Sequence, residues 1–195
     1  MPTAIALTMK DEVINHTPGH SQGLHFEKII GFFRPLKVNR NKYLLCEGEM
    51  CNALYYVQQG SIRTFFIDEE GMEKTSSVIV ENNFGTAWTS FISRQPSLQF
   101  IEAAENTELL TITYKEFHRK INADNFWKEF YLKCLELAYL NQSRKIEALM
   151  TLDAKQRYQK LLKGNPGLIQ KLSNKTLASF LDMREETLSR VKSKK

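Results

Sequence analysis

The spacing of hydrophobic and polar residues divides the chain into a strand-rich front and a helical back. Between residues 43 and 113, β-branched and aromatic residues come in short runs separated by turn signals such as Gln58-Gln59-Gly60. Runs of this length and composition are typical of strands. The six runs are 43–46, 53–57, 61–67, 75–80, 99–103 and 108–113. Regularly spaced short strands predict an antiparallel sandwich or small barrel, preceded by one short amphipathic helix at 24–33.

Beyond about Asn122 the apolar residues recur every three or four positions, which predicts helices. Asp124 is a good helix cap, and the pattern continues to Met150, about 25 residues or ~38 Å. This helix is longer than one small barrel requires, so it is expected to pair with its twin in a homodimer. Four of its residues are expected at the dimer contact: Phe130, Cys134, Leu137 and Asn141. The alternative is a helix packed wholly on its own sheet.

The last quarter of the chain predicts two short helices joined by a tight turn. Ser173 is a good N-cap for the first helix, which should end near Leu181. Glu185 and Glu186 open the second helix, where the positive end of the helix dipole favours carboxylates. Residues 151–153 are expected to form a hinge before this region. Two helices in this arrangement form a helix-turn-helix, which places its second helix in the major groove of DNA.

The charge distribution supports an interaction with nucleic acid. Residues 155–195 contain 11 Lys and Arg against 3 Asp and Glu, whereas residues 1–154 contain 16 against 19. The formal net charge of +5 is therefore the sum of an acidic body and a basic carboxyl-terminal region. A phosphate-binding module joined to a module that does not bind phosphate would have this asymmetry.

Other classes of function find little support in the sequence. No apolar run approaches the ~18 residues of a membrane-spanning helix, and the chain lacks a secretory signal, so a cytoplasmic protein without membrane contact is expected. Cys46, Cys51 and Cys134 suit neither a zinc site nor a disulfide framework and are expected to be free thiols. No catalytic triad, metal-ligand cluster or paired acid motif stands out, so an enzyme is not expected.

Four motifs occur in an informative order: Tyr43–Glu49, Leu54–Arg63, Phe84-Gly85 and Glu186–Arg190. The first two resemble the opening strands and glycine turns of the β-roll in bacterial regulators of the Crp/Fnr family, named after the cyclic AMP receptor protein and Fnr. The third resembles the start of that family's phosphate-binding cassette, and the fourth its E-x-x-S-R motif. The resemblance extends over residues 24–192 and weighs more than any single motif.

This resemblance implies an α+β fold: an antiparallel β-roll of the cyclic-nucleotide-binding jelly-roll type, a long dimerisation helix and a small all-α helix-turn-helix domain. The implied organisation is a flexible segment at 1–23, a sensor at 24–121, the dimerisation helix at 122–150 and the DNA-binding domain at 151–195. The implied function is transcription regulation in bacteria by a homodimer that binds a two-fold symmetric site on double-stranded DNA and contacts RNA polymerase. The alternative is a small-molecule-binding protein with a vestigial DNA-binding domain.

The sensor departs from relatives that bind cyclic nucleotide. In those relatives a Glu shortly after the Phe-Gly pair contacts the ribose, and a later Arg holds the cyclic phosphate. Here Ala87 takes the first place, and residues 95–100 contain no basic residue. A phosphate buried without a cation is strongly disfavoured, so the sequence argues against cyclic AMP or GMP. The expected effector pocket consists of Phe84, Gly85, Thr86, Ala87, Arg94, Ser97 and Gln99.

No other cofactor is expected. Three cysteines cannot supply the four thiolates of an iron-sulfur cluster. No histidine pair at a useful spacing suggests haem, and His16, His20 and His25 are expected to be solvated.

The second helix of the helix-turn-helix provides the expected base contacts. Arg190 suits guanine, Glu186 suits the amino group of cytosine, and Ser189 suits either. Phosphate contacts are expected from Lys175, Thr176, Arg184, Thr187 and Lys192. Members of the resembled family usually add a two-stranded wing after this helix; here the wing is expected to be absent, and Lys192, Lys194 and Lys195 are expected to replace its contacts or to fray.

Overall fold

The computed structural model describes residues 23–193. The expected flexible segment at 1–23 lies outside the described residues except for Gly23. His16, His20, Lys194, Lys195 and the side chain of His25 also lie outside what the structure describes. The strands are β1 (Arg34–Val38), β2 (Tyr43–Leu45), β3 (Ala53–Gln59), β4 (Ser61–Ile67), β5 (Glu73–Val80), β6 (Phe84–Gly85), β7 (Phe100–Ala103) and β8 (Thr107–Thr113). The helices are α1 (Gly23–Ile30), α2 (Trp88–Ser93), α3 (Tyr114–Ala123), α4 (Asn125–Thr151), α5 (Ala154–Gly164), α6 (Pro166–Lys171), α7 (Asn174–Phe180) and α8 (Glu185–Ser193).

The strands form two four-stranded antiparallel sheets that face each other. One sheet has the order β1-β8-β3-β6 and the other has the order β2-β7-β4-β5. All strand pairs are antiparallel, with β4 and β5 joined as a hairpin. The predicted β-roll of jelly-roll type, followed by helices, is confirmed.

Several short elements were not predicted from the sequence, among them strands β1 and β6 and helices α2, α3 and α6. Strand β1 contains Pro35, which lacks a backbone donor and is tolerated because β1 is an edge strand. Helix α2 follows β6, within the segment that resembles a phosphate-binding cassette. Helix α3 begins at Tyr114, earlier than the helical pattern at about Asn122, and its signal is a capping box between Thr113 and Glu116.

The core of the β-roll is rich in aromatic residues and is closed by helices. The ring of Phe84 lies 4.9 Å from that of Phe130 on α4, and Phe117 on α3 lies 5.9 Å from Trp127, also on α4. Both contacts are edge-to-face, an arrangement that aromatic quadrupoles favour. The β-roll and the first half of α4 therefore share one core.

Helix α4 begins after Asp124, whose side chain accepts a hydrogen bond from the Phe126 amide. Its 27 residues extend for about 40 Å at 1.5 Å per residue. The helix has the expected start and length, but two of the four residues predicted at the dimer contact lie elsewhere. Phe130 and Cys134 are only 4% and 1% exposed, within the core of their own chain.

Leu137 also packs against that core, whereas Asn141 is exposed. The physical reason is that α4 carries two apolar stripes, of which the stripe containing Phe130 faces the β-roll. The second stripe is a heptad pattern that lies mostly on the exposed surface. Its apolar members are Leu132, Leu135, Tyr139, Ile146 and Leu149, with Gln142 at the remaining position.

Helices α5–α8 form a second, smaller core. Its buried residues are Leu161, Leu168, Leu172, Leu177, Ala178, Leu181 and Leu188. Val78 and Val80 of β5 pack against this core, so the helical region lies against the β5 sheet of the β-roll. Among the described helices, none is long and apolar enough to cross a membrane.

Candidate functional site

The helix-turn-helix is built from local signals that the sequence displays. Ser173 caps α7 by accepting a hydrogen bond from the Thr176 amide at 3.1 Å. The turn then passes through Asp182, whose φ of 49° lies in the left-handed region that Asp tolerates better than most residues. Leu177 on α7 and Leu188 on α8 are 0% and 1% exposed, so the two helices pack on one buried apolar core.

Arg157 holds this turn through hydrogen bonds to its backbone, a role that the sequence did not reveal. Its guanidinium donates to the carbonyl oxygens of Leu181 and Asp182, at 2.8 and 2.9 Å. A third hydrogen bond goes to the carbonyl of Leu152, in the hinge before α5. One side chain thereby connects the hinge to the turn between the two helices.

The three residues expected to contact bases lie on one face of α8. Glu186, Ser189 and Arg190 are all exposed and are spaced three and four positions apart. The expected phosphate-binding residue Arg184 is exposed just before this helix. The structure therefore leaves the expected base-contacting face open to solvent.

Of the other four expected phosphate contacts, three have protein partners: Lys175, Lys192 and Thr176. The Lys175 ammonium lies 2.7 Å from a carboxylate oxygen of Glu73, on β5 of the sensor. Lys192 donates to the side chain of Asn174 at 2.6 Å. Thr176 is half-buried, with its hydroxyl 2.9 Å from that of Ser173, and Thr187 is also half-buried.

Glu73 links the sensor to the helix-turn-helix. Its second carboxylate oxygen lies 2.6 Å from the guanidinium of Arg63, which is buried and also pairs with Glu102. Burial alone would raise the pKa of Glu73, but the hydrogen bond from Lys175 and the positive charge of Arg63 outweigh it and hold the pKa below its usual value. The carboxylate is therefore stabilised in its charged form between two cations.

Further contacts join β5 to α6 and α7. The Ser179 hydroxyl accepts from the Thr75 amide at 2.8 Å and donates to the Glu73 carbonyl at 2.7 Å. At the other end of β5, Glu81 forms an ion pair with Lys171. Sequence reasoning missed this interface because the paired residues are about 100 positions apart, although acids at both ends of one strand are a signal for it.

The expected effector pocket corresponds to a cavity of about 440 Å³ between the β-roll and α4. Four of the seven expected residues line it: Phe84, Gly85, Thr86 and Gln99. Gly85 is needed there because a Cβ would lie only 2.5 Å from the Ile79 side chain. Residues from α4, including Asn141 and Gln142, close the cavity.

The other three expected pocket residues lie elsewhere. Ala87 is buried in the core, and the Ser97 hydroxyl donates to the Gln99 carbonyl. Arg94 donates to the Cys51 carbonyl and the Asn52 side chain, with its guanidinium stacked 3.7 Å from the Tyr114 ring centroid. It is therefore held away from the cavity.

The cavity offers uncharged hydrogen-bonding groups. The Ser76 hydroxyl lies 2.7 Å from the Thr64 hydroxyl and accepts a hydrogen bond from the side-chain amide of Gln99 at 2.9 Å. No Lys, Arg or His side chain lines the cavity among the residues described. Its chemistry suits a ligand with neutral polar groups and an apolar body better than it suits a phosphate.

The three cysteines are free thiols, two of them buried. Burial raises the pKa of the Cys134 thiol well above its usual value, which makes it a poor nucleophile. Within residues 23–193, no group of three or more His, Cys, Asp or Glu side chains could hold a metal ion.

Comparison with known proteins places this geometry in context. Residues 35–124 match the cyclic nucleotide-binding domain family. An 81-residue segment is 30% identical to the cAMP-activated global transcriptional regulator CRP of Salmonella typhimurium and of Klebsiella aerogenes. That segment is 42% of this chain, and it spans only 39% of those relatives.

Solved structures share the fold over most of the chain. One is the c-di-GMP responsive global regulator CLP of Xanthomonas campestris, with a TM-score of 0.67 at 18% identity, covering 86% of this chain and 88% of that protein. Another is a putative transcriptional regulator of the Crp/Fnr family from Eubacterium rectale, with a TM-score of 0.67 at 20% identity, covering 87% and 81%.

These likenesses define a class: a domain of the cyclic nucleotide-binding type, followed by a long helix and a helix-turn-helix. The resemblance inferred from sequence motifs is confirmed. Residues 35–124 resemble the cyclic nucleotide-binding domain family, and the chain shares the fold of regulators of the Crp/Fnr type.

Proposed function

We propose that this protein is a transcription regulator that binds a specific sequence in double-stranded DNA. The observation that carries the proposal is the position of Glu186, Ser189 and Arg190, exposed together on one face of α8. The basic balance of residues 155–195 supplies the attraction to phosphate that such a face requires. The protein would act at the operator DNA, and RNA polymerase is the further protein partner that the resemblance to Crp/Fnr regulators suggests.

The base contacts follow from the chemistry of the three side chains. The guanidinium of Arg190 can donate two hydrogen bonds to O6 and N7 of guanine, and the Glu186 carboxylate can accept one from the amino group of cytosine. Each such contact discriminates against a wrong base by about 1–3 kcal/mol. Arg184, exposed just before α8, can neutralise a phosphate there.

The proposed active form is a homodimer joined through α4. Leu132, Tyr139 and Ile146 recur every seven residues on this helix and are 58%, 70% and 50% exposed. Apolar residues at heptad spacing are what a second copy of the same helix covers in a coiled coil. A parallel pair would present two α8 helices to successive major grooves of a two-fold symmetric operator.

The proposed effector, where one acts, is an uncharged molecule in the 440 Å³ cavity. Its lining includes residues of β5 and of α4, the elements that support the helix-turn-helix and the dimer stripe. A ligand that binds one arrangement of these elements more tightly than another shifts the population toward it.

Arg190→Ala tests the proposal, once bound DNA has been selected from a random pool to define an operator. The variant should lose about 5- to 150-fold in affinity for the operator, which corresponds to about 1–3 kcal/mol, with little loss on scrambled DNA. Arg184→Ala is the matched control, since loss of a phosphate contact should weaken both DNAs alike and flatten the salt dependence. Equal losses on both DNAs for Arg190→Ala would count against base recognition.

The cavity supports a second candidate: a small-molecule-binding protein whose helix-turn-helix is vestigial. Saturable ligand binding without any protected DNA sequence at low salt would favour this function over the first.

A further inference from the structure

A second and larger cavity, of about 640 Å³, lies outside the interior of the β-roll. We call it the interdomain cavity, because it is bounded by β5 of the sensor, the second half of α4 and the helix-turn-helix domain. Its apolar wall is formed by Val78, Val80, Leu161, Leu168, Phe180 and Leu181. Its volume lies within the ~300–1,000 Å³ range of small-molecule sites.

The polar part of the interdomain cavity is cationic. Arg144, Lys145, Arg157 and Lys160 line it, against the single acid Glu147. Lys145 is engaged by the protein, donating to the carbonyls of Thr75 and Ser76. Arg157 is likewise engaged by the turn of the helix-turn-helix.

Lys160 differs from these two cations. It is half-buried on α5 and lines the cavity, and within residues 23–193 no carboxylate or carbonyl oxygen forms an ion pair or hydrogen bond with its ammonium. A partly desolvated cation beside apolar walls attracts an anion more strongly than the same cation in water. The cavity therefore combines an available charge with an extended apolar surface.

We propose that the interdomain cavity binds a small organic anion with an apolar body, such as a medium-chain carboxylate. The anionic group pairs with Lys160, and the apolar body packs against Val80 and Phe180. This site is distinct in charge from the effector cavity, although the two share a wall formed by Ser76, Ser77, Ile79, Phe84, Asn141 and Gln142.

Binding at this position has a structural consequence. A ligand there contacts the sensor sheet, α4 and the helix-turn-helix domain at once, so it stabilises the docked arrangement of these parts over any arrangement in which they separate. The inference about binding does not depend on the proposed DNA recognition, because the ligand is measured without DNA.

Decanoate and decanol form a matched pair of probes, since they share an apolar body and differ in charge. Titration calorimetry of the full-length protein, below the micelle concentration, should give saturable binding of decanoate at one site per chain. Decanol should bind about tenfold more weakly but still measurably. Lys160→Glu should weaken decanoate about fivefold or more while leaving decanol unchanged, in line with the loss and reversal of one partly exposed ion pair.

Two variants locate the site. Lys155→Glu makes the same charge change at an exposed position of α5 that does not line the cavity, and it should leave decanoate binding unchanged. Ala148→Phe fills the cavity from α4 and should block both probes. The proposal would be overturned by equal affinity for decanol and decanoate, or by equal losses of decanoate affinity in Lys155→Glu and Lys160→Glu. Neither outcome depends on whether the Ala148→Phe variant folds.

Discussion

Gly60 illustrates how one residue fixes the register of the β-roll. It joins β3 to β4 with a φ of 87°, a left-handed conformation that L side chains rarely adopt. A Cβ at this position would lie 2.7 Å from the Thr107 hydroxyl and 2.8 Å from the Asn106 carbonyl. Both the backbone conformation and the close approach therefore require glycine.

We predict that Gly60→Ala lowers the free energy of unfolding by about 2–4 kcal/mol, from backbone strain together with the displaced neighbours. Urea denaturation followed by circular dichroism measures the change. Gly71→Ala is the matched control, since Gly71 has a φ of 77° but no atom within 4 Å of the added Cβ. The control should lose only about 1–2 kcal/mol, the cost of the left-handed conformation. Equal losses would mean that the contact with Thr107 is unimportant.

At this scale the sequence predicted the residues whose roles are local. Ser173 caps a helix through an amide three residues away, so its role follows from its neighbours. Arg94 could not be assigned in the same way. Its partners Cys51 and Tyr114 lie far from it along the chain, and only the folded structure places its guanidinium on them and away from the effector cavity.

The long helix α4 shows the corresponding limit at the scale of an element. Periodicity predicted its start and length, because a helical repeat is visible in any window. Periodicity could not decide which of two apolar stripes faces the β-roll. Phe130 and Cys134 were expected at a dimer contact, but the structure places them in the core, and Tyr139 and Ile146 remain exposed.

The exposed stripe predicts how dimerisation can be disrupted. The double substitution Tyr139→Glu and Ile146→Glu should convert the proposed dimer to a monomer. Carboxylates that face each other at heptad positions repel and are costly to bury. Light scattering coupled to size-exclusion chromatography measures the mass. Circular dichroism should remain unchanged, since neither side chain belongs to the core of its own chain.

Leu140→Glu is the matched control for this experiment. Leu140 is an apolar residue of α4 that is 43% exposed, close to the 50% of Ile146, but it lies off the heptad stripe. The control variant should keep the mass of the wild-type protein. A monomeric wild-type protein, or a dimer that survives the double substitution, would exclude α4 as the dimer contact.

At the scale of the whole molecule, the sensor and the helix-turn-helix domain are joined by charges that are distant in sequence. The ion pair between Glu73 and Lys175 spans 102 positions, and the Ser179 hydroxyl bridges the same two elements. The separate parts could be predicted from sequence because each has a local pattern. Their docking could not, because no local pattern states which acid meets which base.

This docking predicts a competition between the sensor and DNA. Lys175 cannot pair with Glu73 at 2.7 Å and with a phosphate at full strength at the same time. Glu73→Gln should therefore raise the affinity for scrambled DNA about two- to fivefold, the scale of one partly exposed ion pair. Fluorescence anisotropy at fixed salt measures this affinity. Glu69→Gln removes the same charge from the exposed turn of the same hairpin, so it controls for a general change in net charge.

A double-mutant cycle separates this competition from any other effect of Glu73, which also contacts the buried guanidinium of Arg63. If the gain in affinity comes from releasing Lys175, Glu73→Gln should have no effect on DNA binding in a Lys175→Ala background. A gain that persists in that background would instead assign the effect to the Arg63 contact or to loosened docking. Because Glu102 still pairs with Arg63 after the substitution, the β-roll itself should remain folded, so the affinity change reports on the helix-turn-helix domain.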